Sequence, residues 1–300
     1  MTDTVVDHQP TRSALAVAGA YVKLTKPRVV ELLLITTLPA MILAAEGMPD
    51  LWLTIAVLVG GALAAGGANT VNCWIERDRD LAMTRTASRP LPAGEIEPNR
   101  ALAFGLVIEA CAFVILWGAA NLLAAALAVG AMLFYVFVYT IWLKPRSSQN
   151  IVIGGAAGAV PALVGWTAVT GSVDAPALVL FAVVFLWTPP HFWALALRFH
   201  DDYARAGFPM LPVTRGADTA ARQILVYAVA VVVVSLLLPL VSVTAWLYLA
   251  AATFLGAAFV IGALRLWRDP TPDHGLRFFR LSNVYLAALF VAVAVDTLVA

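Results

Sequence analysis

Residues 51–80 read LWLTIAVLVGGALAAGGANTVNCWIERDRD, and this stretch decides the class of protein. No charged side chain occurs from Leu51 to Ile75, whereas every residue from Glu76 to Asp80 is charged. A bilayer core about 30 Å thick needs roughly 20 apolar residues in a helix. The stretch therefore predicts a transmembrane helix that ends in an acidic and basic motif at the membrane surface.

The composition of the whole chain agrees with this prediction. The 300 residues are 62% hydrophobic and 12% charged, against ~25% charged in soluble domains. The net charge of +1 gives no global field that would attract nucleic acid. Cys73 and Cys111 have no paired spacing, which argues against a disulfide framework or a zinc ribbon. The chain is predicted to be an all-α integral membrane protein without a nucleic-acid partner.

Other charge-free runs divide at Gly, Asn, Pro and Ser residues, which weaken a continuous helix. The resulting prediction is nine transmembrane helices, near residues 29–45, 51–73, 101–118, 121–143, 150–170, 175–197, 223–241, 244–264 and 281–299. Residues 1–22 are predicted to form a disordered cytoplasmic tail, and residues 23–300 a single nine-helix domain.

Charge asymmetry predicts the orientation of these helices. With nine helices, all nineteen Lys and Arg fall at the N-terminus or in the loops after even-numbered helices, and none in the opposite loops. Lys and Arg accumulate in cytoplasmic loops. We therefore expect a cytoplasmic N-terminus and a C-terminus outside, in the cell (plasma or inner) membrane. Two cytoplasmic segments, 76–100 and 198–222, are long and polar, so the active site is expected to face the cytoplasm.

The first polar segment carries oxygen-bearing side chains at a helical spacing. Asn72, Glu76 and Asp80 are four residues apart and would share one helix face. Such a set suits Mg²⁺, which takes one or two carboxylates and completes its shell with phosphate oxygens. Arg85 and Arg89 would bind the remaining phosphate charge. A solvated helix end with no ligand is the open alternative.

A second acidic cluster follows the sixth predicted helix and contains Arg198, Asp201 and Asp202. Two acidic clusters on one rim favour a site for a diphosphate held by more than one Mg²⁺, above an apolar cavity. Asp201 and Asp202 are candidate catalytic residues, Asp202 is also a candidate metal ligand, and Arg198 is a candidate phosphate contact.

The motif from Asn72 through Glu76 and Asp80 to Arg89 resembles the first acidic motif of the UbiA-type intramembrane prenyltransferases. The segments TPPHFW at 188–193 and PMLP at 209–212 are similar to their protohaem IX farnesyltransferase (haem O synthase) branch. The resemblance is strong over about residues 24–215. Glu76 stands where the superfamily most often has Asp, and Arg198 where its second motif often has an acid.

The resemblance implies nine helices around a central cavity, with Mg²⁺ as cofactor. It also implies farnesyl diphosphate and haem b as substrates, haem b being a substrate rather than a cofactor. The farnesyl group would pass to a haem vinyl group with addition of water, giving haem O and diphosphate. The lipid bilayer is the surrounding partner, and a partnership with a downstream haem-modifying oxidase is left open.

The same resemblance suggests further site residues. Lys144 and Asn150 become candidates for the diphosphate or metal shell, and Tyr139 and Trp187 offer aromatic faces to an allylic cation. His191 is a candidate haem ligand or proton-handling group. The alternative for His191 is a hydrogen bond to a backbone carbonyl freed by the neighbouring prolines.

Two other functions stay open at this point. A prenyltransferase of the same type could act on an aromatic-ring acceptor such as 4-hydroxybenzoate. A membrane transporter is the main alternative of a different class. Transporters hold their substrates near the bilayer midplane, whereas the acids of this chain are predicted at the rim.

Overall fold

A computed structural model describes residues 13–299. The helices of this part of the chain are α1 (Ala14–Leu24), α2 (Pro27–Ala44), α3 (Leu51–Asp80), α4 (Pro98–Ala119), α5 (Leu122–Leu133, continued by a π-helix, Phe134–Leu143), α6 (Asn150–Thr170), α7 (Ala175–Arg198), α8 (His200–Arg205), α9 (Leu211–Ser235), α10 (Trp246–Arg268) and α11 (Pro272–Val299). Nine spans among residues 13–299 are long and apolar enough to cross a membrane, which confirms the predicted number.

The ends of these helices follow from local sequence. The Asp50 carboxylate accepts the N–H of Leu53 at 2.8 Å and caps α3, and Asn121 caps α5 in the same way. Gly171, with φ of +73°, ends α6 in the left-handed region that glycine adopts most easily. Asp50, Asn121 and Gly171 therefore place three turns at the same end of the bundle and leave the apolar runs between them intact.

The helices pack closely where small residues meet backbone. A Cβ on Gly165 of α6 would lie 2.5 Å from the carbonyl oxygen of Thr37 in α2. A Cβ on Gly275 of α11 would lie 2.8 Å from the carbonyl oxygen of Ala194 in α7. Such small-residue contacts are typical of membrane bundles. They bring α2, α6, α7 and α11 together around one cavity.

One end of the bundle gathers the Lys and Arg side chains of residues 13–299, and we call it the basic end. It comprises the segments 25–26, 81–97, 144–149, 199–210 and 269–271 with the adjoining ends of the helices. Hydrogen bonds join these parts across the bundle, for example from Lys26 to Asn72 and from Thr84 to Asp202. Which side of the membrane the basic end faces stays a prediction of the charge pattern.

The predicted disordered tail needs correction. Residues 1–12 lie outside the described residues, but the chain is helical from Ala14. Ser13 caps α1, and Ala20 and Leu24 are buried against Cys73 of α3 and its neighbours. The apolar, alanine-rich run forms a helix because it has a hydrophobic surface on which to pack.

The two polar segments predicted as loops are also partly helical. α3 continues through the charged motif to Asp80, and α8 and the first turns of α9 occupy much of 198–222. Gly216, with φ of +80°, interrupts the early part of α9. The polar segments therefore contribute short rigid pieces to the basic end.

Candidate active site

A cavity of about 630 Å³ extends from the ion-paired side chains of the basic end down among the helices. Its upper wall is polar and charged, while its deeper walls are lined by small and apolar residues such as Ala64, Ala128, Val160 and Val164. This shape suits a molecule with a charged head and a long hydrocarbon tail.

The acidic wall of the cavity comes from one face of α3. Asn72, Glu76 and Asp80 are all buried and all line the cavity. The side chain of Asp78, which has the other helical phase, is 83% exposed. The shared face expected from the four-residue spacing is therefore present.

Each of these three side chains has a basic partner. The Lys26 ammonium donates to Asn72 Oδ1 at 2.7 Å, and the Lys144 ammonium is paired with Glu76. Arg89 Nη1 donates to both oxygens of Asp80, at 2.9 and 2.7 Å.

The donor set also fits a hard cation. Its atoms are one amide oxygen and two carboxylates, the ligands that Mg²⁺ prefers. Among residues 13–299 there is no cluster of three or more His, Cys, Asp or Glu side chains that could hold a metal by themselves. A Mg²⁺ ion at this face would therefore need oxygens from a ligand such as a diphosphate to complete its shell.

Lys26 reaches the cavity through an unusual backbone conformation. Its φ of +53° and ψ of +65° lie in the left-handed region, which is costly for a side chain without special stabilisation. The preceding carbonyl, that of Thr25, is held by Asn69 at 3.0 Å. Burial lowers the pKa of Lys26. Lys26 is not among the site residues predicted from the sequence, and the structure places it in the cavity lining.

The pKa of Lys144 shifts in the opposite direction to that of Lys26. Burial lowers its pKa, but the Glu76 carboxylate more than offsets this effect, and the pKa of Lys144 is raised above its ordinary value. Burial likewise lowers the pKa of Arg89, and the Asp80 carboxylate more than offsets that effect. Both side chains therefore keep their positive charge at neutral pH.

The π-helix Phe134–Leu143 sets the second wall. The Lys144 N–H donates to the Tyr139 carbonyl at 2.8 Å, a five-residue step that widens the turn. π-Helical segments are rare in proteins, and those that occur are often found at functional sites. Here the widened turn brings Tyr135, Tyr139 and Lys144 to the cavity, with the two rings stacked at 5.4 Å. A Cβ on Gly154 would overlap the Tyr139 ring, so α6 makes room for it.

A third wall is formed by α7 and α11. His191 and Trp187, one turn apart on α7, both line the cavity, with their rings 4.2 Å apart. His191 Nδ1 lies 2.7 Å from Ser282 Oγ, and Trp187 Nε1 donates to the Ser282 carbonyl at 2.8 Å. His191 is seven residues before the end of α7, or about 10 Å along the helix axis at ~1.5 Å per residue.

Comparison with known proteins identifies the family. A model of the UbiA prenyltransferase family matches residues 33–289. The chain belongs to the UbiA prenyltransferase family.

Curated relatives match nearly the whole chain. Protoheme IX farnesyltransferase 1 of Saccharopolyspora erythraea is 54% identical over 97% of this chain and 92% of its own length. Protoheme IX farnesyltransferase of Frankia alni is 52% identical over 93% of this chain and 98% of its own length.

Solved structures share the fold at lower identity. A digeranylgeranylglyceryl phosphate synthase superposes with a TM-score of 0.78 at 18% identity, covering 95% of this chain and 99% of that one. A UbiA homologue from Archaeoglobus fulgidus, bound to DMAPP and Mg²⁺, superposes with a TM-score of 0.62 at 18% identity, covering 92% and 99%.

The second acidic cluster expected for a UbiA-family site is not part of this cavity. The Asp201 side chain is 87% exposed and pairs with His200. Asp202 is buried but accepts hydrogen bonds from the Thr84 hydroxyl at 3.1 Å and the Arg85 N–H at 3.4 Å, and it pairs with Arg205. The short helix α8 turns both acids away from the cavity, so Asp202 joins two segments of the basic end.

Two other predicted site residues also lie away from the cavity lining. Arg198 is exposed at the end of α7. Asn150 is fully buried at the start of α6, where its Nδ2 donates to the Ser147 carbonyl at 2.6 Å. Arg85 does line the cavity, with its guanidinium 5.6 Å from the centre of the Phe199 ring.

Sequence reasoning missed several residues that line or support this UbiA-family cavity. They are Lys26, Tyr135, Tyr203, Phe208 and Ser282. Lys26 lies within residues 24–215, over which the family resemblance is strong, so the sequence did carry a signal for it. The aromatic and hydroxyl residues have no distinctive spacing, and only the helix packing brings them to the site.

Proposed function

We propose that this UbiA-family protein transfers the farnesyl group of farnesyl diphosphate to a vinyl group of haem b, with addition of water, to give haem O and diphosphate. The observation that carries the proposal is the arrangement of the cavity. Asn72, Glu76 and Asp80, together with their basic partners, lie at the entrance to a deep apolar space. His191 lines the same space. The names of the curated relatives support farnesyl diphosphate and haem as the substrates.

The diphosphate head binds at the basic end in this proposal. Asn72, Glu76 and Asp80 would hold Mg²⁺, which when bound neutralises charge on the leaving group. Lys26, Lys144, Arg85 and Arg89 neutralise the rest, Arg85 and Arg89 through planar guanidinium groups that match phosphate oxygens. Because Lys144 and Arg89 are already held at the cavity by Glu76 and Asp80, little reorganisation is needed to receive a diphosphate.

The farnesyl tail occupies the apolar part of the cavity. The allylic C–O bond breaks with both electrons going to the diphosphate, and the vinyl carbon of haem b forms a bond to the freed farnesyl carbon. Water adds to the resulting haem-side cation, and its proton is accepted by a diphosphate oxygen. The rings of Tyr135 and Tyr139 present aromatic faces to the allylic cation. The apolar walls exclude water until the carbon–carbon bond has formed.

Haem b binds against the α7 and α11 wall in this proposal. His191 supplies an imidazole beside the cavity, and Trp187 supplies a flat ring against which a porphyrin can pack. The basic end faces the cytoplasm of the cell membrane, as the distribution of Lys and Arg indicates. Haem O, an apolar product, would pass to a haem-modifying oxidase in the same bilayer.

The test is a turnover assay in nanodiscs with haem b, farnesyl diphosphate and Mg²⁺, with mass spectrometry of the product. We expect a hydroxyethylfarnesyl haem that disappears on addition of EDTA. Diphosphate release without a haem product would overturn haem as the acceptor, and 4-hydroxybenzoate would then be tried. No reaction in folded protein would overturn the proposal as a whole.

A further inference from the structure

Ser282 of α11 is completely buried directly behind His191. Its hydroxyl donates to the carbonyl of Phe279, one turn earlier in the same helix, at 2.7 Å. A serine hydroxyl has a single proton. Since that proton is committed to Phe279, Ser282 Oγ can only accept from His191 Nδ1, which lies 2.7 Å away. A neutral His191 therefore carries its proton on Nδ1 and leaves a lone pair on Nε2.

The imidazole ring is held in this orientation from several sides. It stacks on Trp187 at 4.2 Å and packs against Phe279 at 4.5 Å. The Phe192 ring meets its edge at 5.2 Å, with an angle of 88° between the planes. Trp187 Nε1 also holds the Ser282 carbonyl at 2.8 Å. A ring flip that exchanged the two nitrogens would break the bond to Ser282, and the surrounding rings oppose it.

The other ring nitrogen is open to the cavity. Nε2 of His191 makes no hydrogen bond to any residue in the described part of the chain. Some polar side-chain atoms of this protein, such as both carboxylate oxygens of Glu109, are fully buried and have no hydrogen-bond partner. His191 Nε2 is not one of these fully buried atoms. Because His191 lines the cavity, its unprotonated nitrogen faces the space in which the acceptor would bind.

We propose that Ser282 is a positioning residue that fixes the tautomer and orientation of His191, so that Nε2 ligates the haem iron. This inference rests on the proposed function and assigns α11 a part in binding the acceptor. Histidines that bind metals usually donate their other N–H to a partner of this kind, and loss of that partner costs about 10- to 100-fold in metal affinity. The diphosphate site on α3 is independent of this pair.

The experiment uses the full chain in nanodiscs, with haem b alone as the probe. Haem is titrated by its Soret absorbance into wild type, Ser282→Ala, Ser282→Thr and His191→Ala, and the iron–histidine stretching band of the ferrous complex is recorded by resonance Raman. We expect Ser282→Ala to bind haem about 10- to 100-fold more weakly and to shift the band to lower frequency, because Nδ1–H loses its acceptor. Ser282→Thr should restore both values.

The controls separate positioning from folding. His191→Ala should lose the band, and free imidazole should restore it. Ser282→Ala should keep the wild-type affinity for farnesyl diphosphate. Should Ser282→Ala not fold, Ser282→Cys, of similar size but a weak acceptor, is expected to give the same lowered band.

Two results would overturn the inference. One is a wild-type protein that forms haem O but shows no iron–histidine band, in which case the proposed function stands and ligation by His191 fails. The other is an unchanged affinity and band frequency in Ser282→Ala, which would make Ser282 a packing residue. Absence of haem O formation by wild type is a separate result, and it counts against the proposed function.

Discussion

Two acidic segments of this protein look alike in sequence and differ in structure. Residues 72–80 lie on a continuous membrane helix, and the side chains of Asn72, Glu76 and Asp80 line the cavity. Residues 198–202 cross from the end of α7 into the short helix α8, where Asp201 faces solvent and Asp202 accepts from Thr84 and Arg85. Of these two segments, only residues 72–80 present carboxylates to the cavity.

The comparison also shows what replaces the second cluster. Tyr203 and Phe208 line the cavity on that side, and the Phe208 ring lies 4.7 Å from the Lys144 ammonium. The two sides of the entrance are thus chemically unequal, with oxygen donors on α3 and aromatic rings opposite. This asymmetry favours a diphosphate held by Mg²⁺ on the α3 oxygens and by the surrounding Lys and Arg side chains.

The largest expected effect tests the α3 side. Glu76→Gln or Asp80→Asn should lower turnover about 100-fold or more, since each removes a carboxylate that would hold the Mg²⁺ needed to neutralise the leaving diphosphate. Asp78→Asn is the matched control, because Asp78 is exposed on the same helix and should keep wild-type activity. Turnover is measured by mass spectrometry of the product. Near-normal activity of both α3 variants would show that the α3 acids are not needed for turnover, and the proposed difference between the two acidic segments would be wrong.

A second, smaller effect concerns the cations of the entrance. Lys144→Met should lower kcat/KM for farnesyl diphosphate about 10- to 100-fold, because it removes one buried charge from the phosphate site and leaves Glu76 without its partner. Arg146→Met serves as the control, since Arg146 is exposed, lies two residues after Lys144 and donates only to backbone carbonyls. Equal kinetics of the two variants would show that Lys144 has no part in substrate binding.

The smallest effect is expected on the α8 side. Asp202→Asn should lower the thermal midpoint by a few degrees, about 1 kcal/mol of lost hydrogen bonding, and reduce turnover only a few-fold. Asp201→Asn should change neither quantity, because its side chain is exposed. Thermal unfolding and turnover are measured on both. If Asp202→Asn abolished turnover with an unchanged midpoint, Asp202 would act on the substrate and the two segments would be equivalent.

Much of the fold was predictable because a bilayer imposes a simple rule on sequence. Every backbone polar group within the hydrocarbon must be satisfied by the helix itself, so charge-free runs such as residues 51–75 count the helices directly. The prediction of a disordered tail was wrong for residues 14–22. They are part of α1, which is helical because Ala20 and Leu24 pack on α3. Packing of that kind leaves no periodic signature in a short apolar run.

The candidate site was predictable only in part. The spacing of Asn72, Glu76 and Asp80 was sufficient because all three lie on one regular helix, for which phase follows from residue number. Asp202 could not be judged in this way, since a change of direction at Phe199 breaks the phase between α7 and α8. Lys26 was missed because its position depends on its left-handed backbone conformation, which no spacing rule anticipates.

The sequence by itself determined the nine membrane helices, the alternation of charge between their ends and the acidic face of α3. These follow from solvation and helical periodicity, which act within one segment. Only the tertiary structure decided which polar groups meet. It brought Lys26 and Lys144 to the α3 acids, turned Asp202 away, and placed Ser282 behind His191, 91 residues apart in the chain. Such pairings depend on how separate helices pack, and the residues adjacent in sequence do not indicate which distant side chain will be in contact.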